Sequence, residues 1–253
     1  MVLEECPQLI DGGGMVSEFF REMNIPLSCK VDKTVFKKMF YENANLSTAD
    51  KSLFTDVIDK VTWAHCLKPE TINVQPLKDD TRDYPEIEVI EVALTAEKGL
   101  KRIAEIVMRT IPYPMLLIFR LGDKLQLWVA HQRTNLNDSS KNIIDEMICS
   151  DWVSPDDALL ATMDIRTMRF TNYFTLYSDI VDAISIYNAK ALVGEESELS
   201  GEAAREMLAA VEEIDRQIAA YRAGLKKETQ FNRKLEINIQ IKKLEQQKNK
   251  LIG

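Results

Sequence analysis

Between Glu86 and Val153 the chain concentrates its strand-forming residues, and the way they are joined leaves few folds open. Glu86–Leu94 (EIEVIEVAL) is rich in Ile and Val, Met115–Leu121 (MLLIFRL) is nearly continuous apolar, and Leu125–Ala130 (LQLWVA) alternates apolar with polar. Three strands are therefore expected. Between the first two, Leu100, Ile103, Ile106, Val107 and Thr110 recur at helical spacing, and Pro112 and Pro114 stop that helix before the next strand. That order is a β-α-β unit. Gly122-Asp123 then joins the second strand to the third tightly enough for an antiparallel hairpin, so the sheet is predicted to be mixed. The expected class is α/β: a mixed sheet flanked by helices, with a C-terminal helical hairpin or coiled-coil arm.

Around this centre we read three regions. Residues 1–23 are expected to be a flexible N-terminal segment, in which Gly12-Gly13-Gly14 is a joint and not a phosphate loop, because no strand precedes it and no Lys-Ser/Thr follows. Val16–Met23 could still form a short helix. Residues 24–193 form the α/β globular domain. Within it Lys33–Tyr41 reads as a helix, and Ser47 or Thr48 caps a longer one with Leu53, Phe54, Val57, Ile58, Val61 and His65 on one face, ended by Pro69. Thr71–Val74 is a candidate short strand, Lys78–Pro85 (KDDTRDYP) an exposed and mobile connector, and Ile143–Trp152 a further strand. Tyr173, Leu176, Tyr177, Ile180, Val181, Ile184 and Tyr187 follow the 3-4 pattern of a helix that closes the domain.

The third region, 194–253, is an arm. Met207, Val211, Ile214, Ile218, Tyr221 and Leu225 are separated alternately by four and three residues, the seam of a coiled coil. Ile237, Ile241, Leu244 and Leu251 continue in a different phase, with Lys248 interrupting one core position. Either a helical hairpin turning between Gly224 and Gln230, or one long helix pairing with another subunit, satisfies this pattern. Charge separates the two halves: Glu195–Leu225 has eight acids and three bases, whereas Lys226–Gly253 has eight bases and three acids. Complementary halves favour antiparallel pairing, within one chain or across a dimer.

Chemical motifs are few. No GxSxG, HExxH, Walker lysine loop or paired Cys/His arrangement occurs, so no cofactor, no metal ligand set and no catalytic residue is indicated. Cys6, Cys29, Cys66 and Cys149 form no CxxC pair, and His65 and His131 lie far apart. The acids Glu86, Glu88 and Glu91 on one strand raise the reading of a metal-dependent nuclease, but the Glu-x-Lys expected on the next strand is missing; Arg120, Lys124 and His131 stand there. The densest polar cluster, Arg133 to Lys141, follows a strand end. Arg133 and Lys141 could donate to a phosphate or carboxylate with Asp138 orienting one of them, and a solvated loop is the competing reading. No run of about eighteen apolar residues exists and the N-terminus is acidic, so a cytoplasmic protein that neither spans nor binds a membrane is expected. A net charge of −8 disfavours direct nucleic-acid binding.

Several segments together resemble a known family. They are Lys51-Ser-Leu-Phe54 with Val57 and Trp63, then Leu67-Lys-Pro-Glu-Thr-Ile-Asn73, Glu86-Ile-Glu-Val-Ile-Glu-Val, Thr110-Ile-Pro-Tyr-Pro-Met-Leu116, His131-Gln-Arg133 and Glu228-Thr-Gln-Phe-Asn-Arg233. In this order they resemble the bacterial domain-of-unknown-function family numbered 4391, from about Asn24 onward. The resemblance implies a place beside helicases and DNA methyltransferases in restriction-like or phage-defence gene clusters, and no reaction. The leading expectation is thus an accessory binding or scaffold subunit that docks a helicase or methyltransferase and meets nucleic acid only indirectly. The alternatives are a degenerate or unusual DNA-acting nuclease, and a protein whose arm makes it a homo-oligomer.

Overall fold

A six-stranded mixed sheet carries the first part of the chain in the computed structural model, which describes residues 13–134, 142–154, 157–194 and 196–253. In chain order the first elements are α1 (Gly13–Glu22), β1 (Lys30–Thr34), α2 (Lys37–Asn43), α3 (Thr48–Asp56), β2 (Ile58–Leu67) and α4 (Pro69–Ile72). A small pair, β3 (Leu77–Lys78) and β4 (Asp83–Tyr84), leads to β5 (Ile87–Leu94), α5 (Leu100–Thr110), β6 (Met115–Leu121) and β7 (Lys124–Val129). The short strands β8 (Gln132–Thr134), β9 (Asn142–Ile144) and β10 (Ile148–Cys149) follow, then α6 (Ala158–Thr162), α7 (Tyr173–Val193), α8 (Gly201–Lys227) and α9 (Phe231–Leu251). The sheet order is β1-β2-β5-β6-β7-β10.

The predicted β-α-β unit is β5-α5-β6, with β5 and β6 parallel from Glu88↔Met115 to Ala93↔Arg120. Gly99 opens α5 with φ +67°, a backbone conformation that favours glycine, and a side chain there would also displace the Leu53 methyls. The predicted hairpin is β6-β7, turning at Gly122 with φ +60°. Ser47 caps α3: its hydroxyl accepts from the Asp50 N–H, and the Asp50 carboxylate accepts from the Ser47 N–H at 3.0 Å. Asp50 also takes a two-pronged bond from Arg102 of α5, at 2.8 and 2.9 Å, which ties α3 to α5 over the core. The guanidinium holds the Asp50 carboxyl well below the usual carboxylate range. Beneath these helices Phe40, Phe54, Ile90, Val92, Ile103, Val107, Leu117 and Phe119 form one buried cluster. From α7 the buried Tyr177 hydroxyl donates to the Met115 carbonyl at 2.8 Å and accepts from the Ala130 N–H at 3.0 Å, pinning the helix to two strands.

Five local expectations are corrected. The helix expected to run from Ser47 to Pro69 stops at Asp56, and Ile58–Leu67 is instead the ten-residue strand β2, antiparallel to both β1 and β5. Thr71 lies in the short helix α4, which Pro69 starts at its first position. The connector Lys78–Pro85 contains all of β4 and Lys78 of β3, and its Tyr84 is fully buried. Ile143–Trp152 is broken into β9 and β10, which pair in different sheets. Val16, Phe19 and Met23 of the N-terminal segment are buried, so structured chain begins before Asn24.

The chain divides into two compact units, residues 1–181 and 182–253, with the boundary inside α7. In the second unit α8 and α9 form the helical hairpin. Ser200 caps α8 by accepting from the Ala203 N–H at 3.2 Å, and the Glu228 carboxylate accepts from the N–H groups of Thr229 and Gln230 at the turn. Two ion pairs join the acidic helix to the basic one, Asp215–Lys248 at 2.6 Å and Arg222–Glu245 at 2.9 Å. These pairs fix the antiparallel direction, because the partner number falls as the first rises. No described helix is long and apolar enough to cross a membrane.

Candidate functional site

At one end of the sheet, β2 and β5 bring a thiol and two carboxylates together. Cys66 stands directly opposite Glu88 in the β2-β5 register, and Glu86, two residues before Glu88, emerges on the same side because strand side chains alternate. The register is irregular between Trp63 and His65, which interrupts the alternation on β2. As a result Trp63 and Cys66 both meet Glu88, while His65 turns away and packs on Phe20 of α1 at 4.4 Å.

The contacts within the group are direct. The Trp63 indole N–H donates to Glu88 Oε2, and the Cys66 thiol donates to Glu86 Oε2 at 3.7 Å. One ligand atom from each of Cys66, Glu86 and Glu88 lies within 4.8 Å of the others. Cys66 and Glu88 are buried and Glu86 is half-buried. Burial pushes the Glu88 carboxyl up to about 7, with the Trp63 bond opposing and Glu86 reinforcing that shift. Burial also pushes the Cys66 thiol up to about 12, with Glu88 and Glu86 adding to it. The group opens on a pocket of about 380 Å³ whose lining includes Cys29, Lys30, Lys33, Lys68 and Thr71. Such an arrangement can hold a proton between its acids or gather around a cation.

Glu91, the third acid of the predicted strand, does not join this group. It faces the other side of β5 and takes a 2.8 Å bond from Arg120 of β6. The acids therefore do not converge as the nuclease reading requires. Both imidazoles take packing positions: the His131 Nδ1 is 2.8 Å from the Tyr84 hydroxyl, and His65 is buried. The His65 Nδ1 has no hydrogen-bond partner among the described residues, and burial pushes its pKa down to about 4, with Lys30 adding to that and Asp32 opposing.

Of the polar cluster read from sequence, the structure describes Arg133, whose Nε donates to Asp145 Oδ1 at 3.0 Å across the β8-β9 pair, both side chains being about half exposed. Asp138 and Lys141 lie outside the described residues. In the arm Val211, Ile218 and Ile241 are buried, Met207, Ile214, Ile237 and Leu244 are partly buried, and Tyr221 is exposed. Sequence reasoning singled out Glu86 and Glu88 but grouped them with Glu91 and did not join Cys66 to them. Twenty residues separate Cys66 from Glu86, and no local spacing signals a site assembled across two strands.

Fold and site together define an α/β protein with a paired helical arm and a buried thiol-carboxylate group beside a pocket. Over residues 23–247 the chain matches the model of a Domain of unknown function (DUF4391), and it belongs to that family. No curated protein and no solved structure matches it.

Proposed function

We propose that the protein is an accessory binding subunit of a bacterial restriction-like or phage-defence complex, acting through its surfaces and not through a reaction. One observation carries this reading. Ile241 turns inward on α9, while Phe231, Leu235 and Ile239, spaced four apart, form a row on the outer side and are 78%, 53% and 45% exposed. An apolar row on an otherwise charged helix is what a docking helix presents. Lys242 and Lys243 follow Ile239 by three and four residues and extend the row, so its occupant is an acidic segment with an apolar face, supplied by the helicase or DNA methyltransferase that the family resemblance implies. Arg133, with Asp138 and Lys141, is proposed as a second contact for an acidic surface of that partner.

The test is co-purification with each neighbouring helicase or methyltransferase gene product. Capture by the wild type that is lost on changing Phe231, Leu235 and Ile239 to Ser supports the proposal. Capture that the triple variant retains refutes the row as the docking face. If the row only joins two copies, light scattering shows a dimer that the triple variant dissociates, with no capture of either gene product. Arg133→Ala is expected to weaken capture by about 1.5–3 kcal/mol, the range of a hydrogen bond to a charged group.

A further inference from the structure

Beyond the docking role, we propose that Cys66, Glu86 and Glu88 bind one zinc ion, with water in the fourth position on the pocket side. The geometry is already close to what zinc requires. Zinc–sulfur and zinc–oxygen distances of about 2.3 and 2.1 Å set a tetrahedral S···O edge of about 3.6 Å, and Cys66 Sγ lies 3.7 Å from Glu86 Oε2. All three ligand atoms lie within 4.8 Å of one another, and rotation of the glutamate side chains closes the remainder. Two adjacent strands in fixed register hold the ligands, since Cys66 and Glu88 are direct β2-β5 partners. The Trp63 indole N–H on Glu88 supplies the orienting outer-sphere bond that ligating carboxylates have in metal sites.

A second, independent observation points to a ligand here. Tyr173 is fully buried, its hydroxyl has no hydrogen-bond partner among the described residues, and its phenol feels the charges of Cys29 first and then of Cys66, Glu70 and Glu86. Buried hydroxyls are almost always paired, and in this proposal a metal-bound water supplies the partner. The donor set selects the ion. One thiolate favours zinc over the hard cations magnesium and calcium, which take oxygen ligands. On binding, the Cys66 proton and the proton held between Glu86 and Glu88 leave for solvent, and the thiolate with two carboxylates exceeds the charge of Zn²⁺ by one. Lys30, Lys33 and Lys68 line the same pocket and offset that excess.

Cobalt(II) is the probe. The full chain, dialysed against chelator, is titrated with Co²⁺ and read by the thiolate-to-metal charge-transfer absorption in the near ultraviolet, then competed with Zn²⁺. One equivalent is expected to bind, and zinc is expected to displace it. Cys66→Ser abolishes the band, Cys29→Ser and Cys149→Ser leave it, and Trp63→Phe weakens binding by about 10- to 100-fold, the outer-sphere range. Glu86→Gln, at a half-buried position, weakens it at least as much and covers the case in which Cys66→Ser fails to fold. Tyr173→Phe lowers affinity without removing the band. The proposal is overturned if wild-type protein shows no band, if the band survives Cys66→Ser, or if Glu86→Gln binds Co²⁺ as tightly as wild type.

Discussion

Replacing Ile218 by Asp tests whether α8 and α9 hold together through their seam. Ile218 is 5% exposed, and Val211 and Ile241 are the other large aliphatic side chains buried in the arm. Burying each contributes about 1.5–3 kcal/mol, so the three together supply about 5–9 kcal/mol. The substitution removes about 2 kcal/mol of that burial and adds a carboxylate whose desolvation costs at least about 2 kcal/mol more. Roughly half of what pairs the helices is lost, and helices in proteins draw most of their stability from packing an apolar face, so α8 and α9 lose helix with it. Two probes separate this effect from global unfolding. Trp63, Trp128 and Trp152 all precede Val181, so tryptophan emission reports the first unit, whereas far-ultraviolet circular dichroism reports α8 and α9 strongly. Ile218→Asp is expected to lower helical signal and its melting midpoint while the emission transition stays in place, and Ile218→Leu is expected to behave as wild type within about 1.5 kcal/mol. Unchanged helical signal and midpoint in the Asp variant would refute the seam.

Three other outcomes follow from particular residues. The His65 imidazole has a folded pKa of about 4 against 6.5, so its contribution is fully present above about pH 6.5 and is lost as pH falls toward 4. The loss is at most about 3 kcal/mol, and urea unfolding across that window is expected to show a shallower dependence for His65→Leu than for wild type. Asp50→Ala removes the carboxylate half of the α3 capping box and the two-pronged Arg102 bond, while Ser47 still caps the helix; a loss of about 2–4 kcal/mol is expected by denaturant titration, and Asp50→Asn recovers part of it by accepting from the Ser47 N–H. Duplex or single-stranded oligonucleotides are expected to bind no tighter than about 10⁻⁴–10⁻⁶ M at physiological salt by fluorescence anisotropy. The net charge of −8 opposes them, and the α8-α9 ion pairs partly neutralise the basic helix. Nanomolar binding abolished by charge reversal at Lys242 and Lys243 would contradict this.

Legibility followed the range of the interactions. β5, α5, β6 and β7 were readable because their signals are local: Gly99, Pro112, Pro114 and Gly122 punctuate runs whose periods do not conflict. Heptad spacing left a hairpin and one long helix both open, and the opposite charge of the two halves, which favoured antiparallel pairing, matches the Asp215–Lys248 and Arg222–Glu245 pairs. Tyr84 was not readable. Its two-residue strand is too short to carry a period, and its burial comes from partners such as Phe174, whose ring lies 5.1 Å away, and His131, both distant in sequence.

The misread strand and the missed site share one cause. β2 is buried on both sides along much of its length, so it lacks the alternation of a half-exposed strand. Its register irregularity between Trp63 and His65 breaks the two-residue period where the site is built. With that period broken, Ile58, Val61 and His65 fit a helical face by spacing alone. Read as a helix, the segment gives no register in which Cys66 stands opposite Glu88, and Trp63 has no route to a carboxylate twenty-five residues away. The same irregularity creates the chemistry: without it Trp63 and Cys66 would point to opposite faces, and Glu88 could meet one of them but not both. On β5 the regular two-residue period was enough to separate Glu91 from Glu86 and Glu88. Half of the site was therefore present in the alternation of one strand, and the other half depended on a bulge that no local pattern announces.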